Sequence, residues 1–210
     1  PRFGEGLEGL ILVRDADFVG ILNGLDMQHN DPATDPAIPH QYDVSNFRTE
    51  RPVNKRALQA SLGLEQGDDI PLIGIVSRLV DQKGFDFAIP GLRWVLAETG
   101  AQLVALGSGE PTLETHLRTL EWDFNWKARV MIGYNPALSQ RIYAGADLIL
   151  VPSRYEPCGL TQLLAMRYGA LPVVRETGGL ADTVENYDDG PADRGTGFVF
   201  QWEEDTAVRG

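Results

Sequence analysis

The sequence predicts an α/β protein built on a Rossmann-like, doubly wound parallel sheet. Short apolar runs of strand length recur along the chain, amphipathic runs of helix length separate them, and a complete strand-helix-strand unit lies within residues 147–174. Parallel strands need such crossovers, and sheets of this class hold ligands where strands end and helices begin.

Taken in order, residues 1–22 carry a Gly-rich opening and two apolar pieces, 9–13 and 18–22, too little to fold without a partner surface. Asn23-Gly24 is a turn signal. Between Asp26 and Pro52, Pro32, Pro36, Pro39 and scattered Asp, Asn and His residues leave little periodicity, which predicts a linker or extended arm. Residues 54–62 read as a helix stopped by Gly63. The apolar run 72–76 is a strand buried on both faces, followed by a loop over 77–84. Phe85 to Glu98 is a helix in which Pro90 marks a kink or a late start.

A strand at 102–106 ends in Gly107-Ser108-Gly109, a helix spans 113–120, and a strand at 129–132 ends at Gly133-Tyr134. A helix at 137–144 leads into the strand 147–151, a helix from Leu160 to Tyr168 and a strand at 171–174. Beyond lie Thr177-Gly178-Gly179, a helix from Leu180, a polar loop with Asp188-Asp189-Gly190 and the apolar residues 197–200. No closing helix follows, so truncation is the expectation.

The totals set limits. The 210 residues suit one α/β domain with extra arms, and 43% hydrophobic residues are enough for a packed core. A net charge of −12, from 18 basic and 30 acidic residues, argues against a nucleic-acid surface, so a bound phosphate must be met by local cations and backbone amides. The single cysteine, Cys158, excludes an internal disulfide and a cysteine-rich metal site. His29, His40 and His116 lack metal-ligand spacing. No apolar run approaches the roughly 20 residues that cross a bilayer, and the opening residues carry no signal pattern, so a cytoplasmic protein is expected. The dinucleotide and P-loop glycine fingerprints and the Gly-x-Ser-x-Gly elbow are all missing.

Chemistry concentrates in the loops after the strands. Arg78 and Lys83 follow the first buried strand, spaced to place a guanidinium fork and an ammonium around one diphosphate. Gly159 lets a ligand approach the backbone, and the amides of Gly159, Leu160 and Thr161 open a helix with a positive dipole end. Glu156, three residues earlier, repels phosphate but accepts from sugar hydroxyls, so one site suits a phosphate at one end and a sugar at the other. Taken singly, each signal also has a plain reading. Arg78 and Lys83 are then surface charges, Glu156 a solvated loop residue, Thr161 a helix cap, Gly107 part of a strand-exit turn and Tyr134 a packing residue. Thr177-Gly178-Gly179 precedes a helix and offers amides to an anion in the manner of Gly159. Cys158 reads as a pocket wall or as a thiol activated by a helix N-terminus.

Residues 77–84 (Ser-Arg-Leu-Val-Asp-Gln-Lys-Gly), 132–134 (Ile-Gly-Tyr), 151–162 (Val-Pro-Ser-Arg-Tyr-Glu-Pro-Cys-Gly-Leu-Thr-Gln) and 175–183 (Arg-Glu-Thr-Gly-Gly-Leu-Ala-Asp-Thr) together resemble the bacterial glycogen synthases and plant starch synthases, in their C-terminal nucleotide-sugar domain. The resemblance implies one half of a GT-B glycosyltransferase. In that family two Rossmann-like domains close over ADP-glucose, and glucose passes with retention to the non-reducing end of an α-1,4-glucan, without a covalent nucleophile. Carried to matching positions, it implies that Arg78 and Lys83 hold the diphosphate and stabilise the departing ADP, and that Glu156 holds the glucose hydroxyls. Cys158, Gly159, Leu160 and Thr161 line the pocket, with Gly107, Thr177, Gly178 and Gly179 also facing the donor. Tyr134 lies against adenine, and Asn23 sits at the cleft between domains.

The resemblance further implies that 1–24 is the end of an acceptor domain, 25–69 a linker and first helix, and 70–210 a donor domain truncated at its end. ADP-glucose is a substrate, and no cofactor is implied. The acceptor glucan would be held by the N-terminal domain, whose Lys-Thr-Gly-Gly loop this sequence lacks. After Asn23-Gly24-Leu25-Asp26 the family continues with Tyr and Trp, where this chain has Met27-Gln28-His29-Asn30. Alternatives are a non-catalytic nucleotide-sugar module and a related UDP-glucose transferase. A plant-type starch synthase would be plastidial.

Overall fold

Six parallel strands in the order β3-β2-β1-β4-β5-β6 form one sheet. They are β1 (Leu72–Leu79), β2 (Gln102–Gly109), β3 (Ala128–Ile132), β4 (Leu148–Val151), β5 (Leu171–Arg175) and β6 (Phe198–Phe200). The structure is a computed structural model that describes residues 6–187, 194–201 and 203. The loop expected at Asp188-Asp189-Gly190 lies outside the described residues. The strand order reverses between β1 and β4, which makes their carboxyl ends the topological switch point, where a crevice opens in sheets of this kind.

Side chains alternate across the sheet as the period of two demands. Leu72, Val104, Leu106, Ile149, Val151 and Val174 join one apolar layer, while Ile73, Ile75, Leu103, Ala105 and Leu150 join the other. Helices cover both faces. On the second layer lie α3 (Phe85–Glu98) and α4 (Pro111–Asp123), which insert Phe85, Leu92, Leu96, Leu113, Leu117 and Leu120 at helical spacing. On the first lie α2 (Phe47–Ser61), α5 (Pro136–Gly145), α6 (Thr161–Arg167) and α7 (Gly178–Thr183). Gly74 belongs where β1 meets α5, because a Cβ there would overlap Ile149 and Ile142.

The structure corrects several expectations. The second helix begins at Phe47, seven residues ahead of Asn54, and carries Pro52 inside it. Pro52 and Pro90 each occupy the sixth position of a helix, where the missing N–H removes one ladder bond. The buried faces outweigh that loss, through Asn54, Lys55, Leu58 and Gln59 in α2 and through Ala88, Ile89 and Leu92 in α3. β1 runs on to Leu79, so Arg78 is a strand residue and not a loop residue.

The segment between Asp26 and Asn46 has no regular element, yet it is docked. Ile38 and Tyr42 are buried in the first layer, Tyr42 donates its hydroxyl to the Tyr168 carbonyl (2.8 Å), and Tyr168 donates to the buried Asp35 carboxylate (2.6 Å). Asn23-Gly24 makes no turn. The turn falls at 27–29, where Asp26 Oδ1 accepts the amides of Gln28 and His29, each at 3.0 Å. The first apolar piece is a short helix, α1 (Glu8–Val13), with no buried residue.

Candidate functional site

The loops at the carboxyl ends of β1 and β4 are stitched together by backbone. The Arg154 amide donates to the Gln82 carbonyl (2.9 Å), and Gln82 Nε2 returns a bond to the Tyr155 carbonyl (2.8 Å). Gly84, at φ +70°, opens α3 directly beneath the Pro152 carbonyl, where a Cβ would overlap that oxygen. The loop after β5 closes in the same way. Gly178 and Gly179 pass under the carbonyls of Glu156 and Cys158, and a Cβ at either would overlap them.

This packing gathers the predicted residues into two groups. In the first, Lys83 Nζ forms an ion pair with Glu156 Oε2, which also accepts from Ser153 Oγ at 3.0 Å. Both partners are nearly buried, at 15% and 10% side-chain exposure, so the ammonium and the carboxylate neutralise each other where water cannot. The expected free carboxylate is therefore engaged by the lysine that was to hold phosphate. A separation of 73 residues concealed this pairing in the sequence.

In the second group, a cavity of about 260 Å³ opens over the ends of β1, β2 and β3. Arg78, Gly107, Tyr134, Tyr143 and Thr161 are among its lining residues. Arg78 is exposed, and no described residue forms a hydrogen bond or ion pair with its guanidinium. Tyr134, 90% exposed, stands at the rim. Thr161 hydrogen-bonds Tyr143, whose phenol is raised to about 12 by burial, the bond to Thr161 pulling the other way. Gly107 lies where a Cβ would overlap the Ser77 carbonyl, so its small size serves strand pairing as well as the cavity.

The remaining candidates fall on the glycine-opened turn. Gly159 takes φ +72°, Leu160 caps α6 and is exposed, and Cys158 Sγ accepts the Asn23 amide at 2.9 Å. The structure thus brings Asn23 to the loop after β4 across 135 residues of sequence. Thr177 caps α7. The Gly179 amide donates to the Glu156 carbonyl (2.9 Å), so it is already used within the protein.

Three residues that organise the site had no role assigned from the sequence, although Arg154 and Gln162 lie within the string 151–162. Gln162 is fully buried and donates to the Cys158 and Gly159 carbonyls (3.0 and 3.1 Å) and to Thr183 Oγ1 (3.0 Å), fixing the turn from below. Its Oε1 has no partner among the described residues. Arg154 and Asp86 form a bidentate pair, both bonds 2.6 Å. That bond holds the Asp86 carboxyl below its ordinary value of 3.8 and raises the guanidinium further. Among the described residues no cluster of His, Cys, Asp or Glu gathers to hold a metal, and no helix is long and apolar enough to cross a membrane.

Comparison with known proteins supplies the lineage. Residues 70–207 match the family model "Glycosyl transferases group 1". Glycogen synthase of Yersinia pseudotuberculosis serotype IB (strain PB1/+) is 48% identical over 207 residues, taking in 95% of this chain and 42% of that protein. Glycogen synthase of Gloeobacter violaceus is 47% identical over 201 residues, taking in 95% of this chain and 43% of its own length. Among solved structures, the catalytic domain of starch synthase IV from Arabidopsis thaliana, bound to ADP and acarbose, superposes with a TM-score of 0.88 at 37% identity, over 99% of this chain and 43% of that one. The chain spans about two fifths of the length of these relatives. By family model the chain belongs to the glycosyl transferases group 1, and in sequence and fold it is similar to about two fifths of the glycogen and starch synthases above.

Proposed function

We propose that this chain is the donor-binding domain of an ADP-glucose-dependent glucan synthase of the cytoplasm. The full-length protein transfers glucose, with retention, to the non-reducing end of an α-1,4-glucan. Residues 70–210 form the donor domain, 25–69 the linker and first helix, and 1–24 the end of the acceptor domain. The single observation that carries this reading is the Arg78 guanidinium, unpaired among the described residues, in a cavity over the carboxyl ends of β1, β2 and β3, with Thr161 on the same cavity lining and the Lys83–Glu156 pair joining the loops after β1 and β4.

Arg78 meets the diphosphate as a planar fork and Lys83 as a point charge, offsetting negative charge on the departing ADP. The resting ion pair gives Glu156 a defined part. A diphosphate draws the ammonium toward itself, and the released carboxylate accepts from the glucose hydroxyls, so phosphate and sugar are engaged in one concerted exchange. Tyr134 lies against the base. Gly107, Cys158, Gly159, Leu160 and Thr161 shape the pocket, Asn23 closes it from the acceptor side, and Thr177, Gly178 and Gly179 bring the last loop close enough to complete it.

Calorimetric titration of ADP, ADP-glucose and UDP-glucose tests this reading. Arg78→Ala is expected to weaken ADP by about tenfold or more, the scale of one lost charge-assisted bond. Glu156→Ala is expected to leave ADP bound and to erase the added affinity of ADP-glucose. Equal ADP affinity in the wild type and Arg78→Ala would contradict it, and tighter UDP-glucose than ADP-glucose would change the donor.

A further inference from the structure

Arg154 does not line the cavity, yet it touches every segment that brackets the ion pair. Its Nη1 donates to the Asp81 carbonyl (2.8 Å) and to Asp86 Oδ1 (2.6 Å), its Nη2 to Asp86 Oδ2 (2.6 Å), and its Nε to Glu203 Oε2 (3.2 Å). The guanidinium also stacks over Phe87, 5.3 Å from the ring centroid. Asp81 and Asp86 flank Lys83 in the chain, and Arg154 itself stands two residues before Glu156. The Arg154 carbonyl is held in turn by Arg175, whose Nε donates to the Ser153 carbonyl at 2.9 Å.

We propose that Arg154 is the positioning residue of the donor site, a clamp that fixes Lys83 against Glu156. Only arginine fits this position. Its rigid fork meets both Asp86 oxygens while the remaining donors reach Asp81 and Glu203, and its flat face covers Phe87; a lysine supplies one point charge and no plane. The side chain is 17% exposed, so these bonds are shielded from much of the screening that weakens surface pairs. The link to donor binding rests on the function proposed above, whereas the link to Lys83 does not.

Reductive methylation of the native chain with formaldehyde, followed by mass spectrometry of the Lys83 peptide, tests the clamp directly, with Lys55 and Lys127 as internal controls. In Arg154→Lys and in Asp86→Asn, Lys83 labelling is expected to rise by about fivefold, the factor for one lost hydrogen bond of ordinary net strength, while Lys55 and Lys127 stay constant. The double variant is expected to add nothing, because both changes break one bidentate pair. ADP affinity, titrated in parallel, is expected to fall in step. If Arg154→Lys loosens the whole fold and raises all three lysines, the milder Asp86→Asn variant decides by the same criterion. Unchanged Lys83 labelling in Asp86→Asn would overturn the clamp. Raised labelling with unchanged ADP affinity would uphold it and contradict the donor reading instead.

Discussion

Lys83 and Glu156 show how much a single contact alters a reading. Each residue type suggested chemistry, a cation for phosphate and a carboxylate for sugar, but in the structure the two pair directly and neutralise each other. The glycines of the site are structural in a way that sequence alone does not separate from ligand contact. Gly178 has φ +45° and lies under the Glu156 carbonyl, so Gly178→Ala is expected to cost about 2 kcal/mol in denaturant unfolding, from strain and overlap together. Asp86 supplies a pH signature. Its carboxyl is depressed by the Arg154 bond, so the stabilisation is full above the ordinary value of 3.8 and disappears as pH falls through the lower folded value. Asp81 and Glu203 face the same guanidinium and, with Asp86, hold it in its charged form. The stability gap between wild type and Asp86→Asn is therefore expected to be constant near neutral pH and to close in acid below 3.8, read by thermal unfolding at a series of pH values.

At the scale of elements, apolar runs made five strands legible, most plainly β1 and β2, which are buried on both faces, while residues 197–200 stood out only as an apolar run. Their ends were less legible. Leu79 extends β1 past the polar pair Ser77-Arg78, since register with β2 continues to Gly109 whatever the side chains are. Pro52 concealed the first turns of α2 because a proline reads as a helix breaker in sequence. The irregular arm was misleading for a different reason: besides burying Ile38 and Tyr42, it is held by hydrogen bonds to Tyr168, more than a hundred positions away. Tyr168→Phe is expected to cost about 2 kcal/mol, because it leaves the buried Asp35 carboxylate without its hydroxyl donor. Equilibrium unfolding in urea measures this, and a change within error would show that the arm docks by apolar contact alone.

At the scale of the whole molecule, the fold class was fully legible because alternation of strand and helix admits few topologies, and the order β3-β2-β1-β4-β5-β6 is the doubly wound one. The family was legible from the ordered strings around Arg78, Tyr134, Glu156 and Gly178. Sequence also placed the predicted cations at one end of the sheet, but it gave no hint of Arg154 as the link between the loops of Lys83 and Glu156. The relatives are more than twice as long as this chain, and on the proposal above the acceptor glucan is held outside residues 25–210. The 210 residues alone are therefore expected to incorporate no labelled glucose into an α-1,4-glucan, while still binding ADP.

The most direct measurement is a crystal structure of this chain with ADP-glucose. The expected result is the diphosphate within hydrogen-bond reach of Arg78 and Lys83, with the Lys83–Glu156 pair opened and the glucose hydroxyls on Glu156. A nucleotide bound away from the carboxyl ends of β1 and β4, or bound there with the ion pair intact and Arg78 turned to solvent, would contradict it.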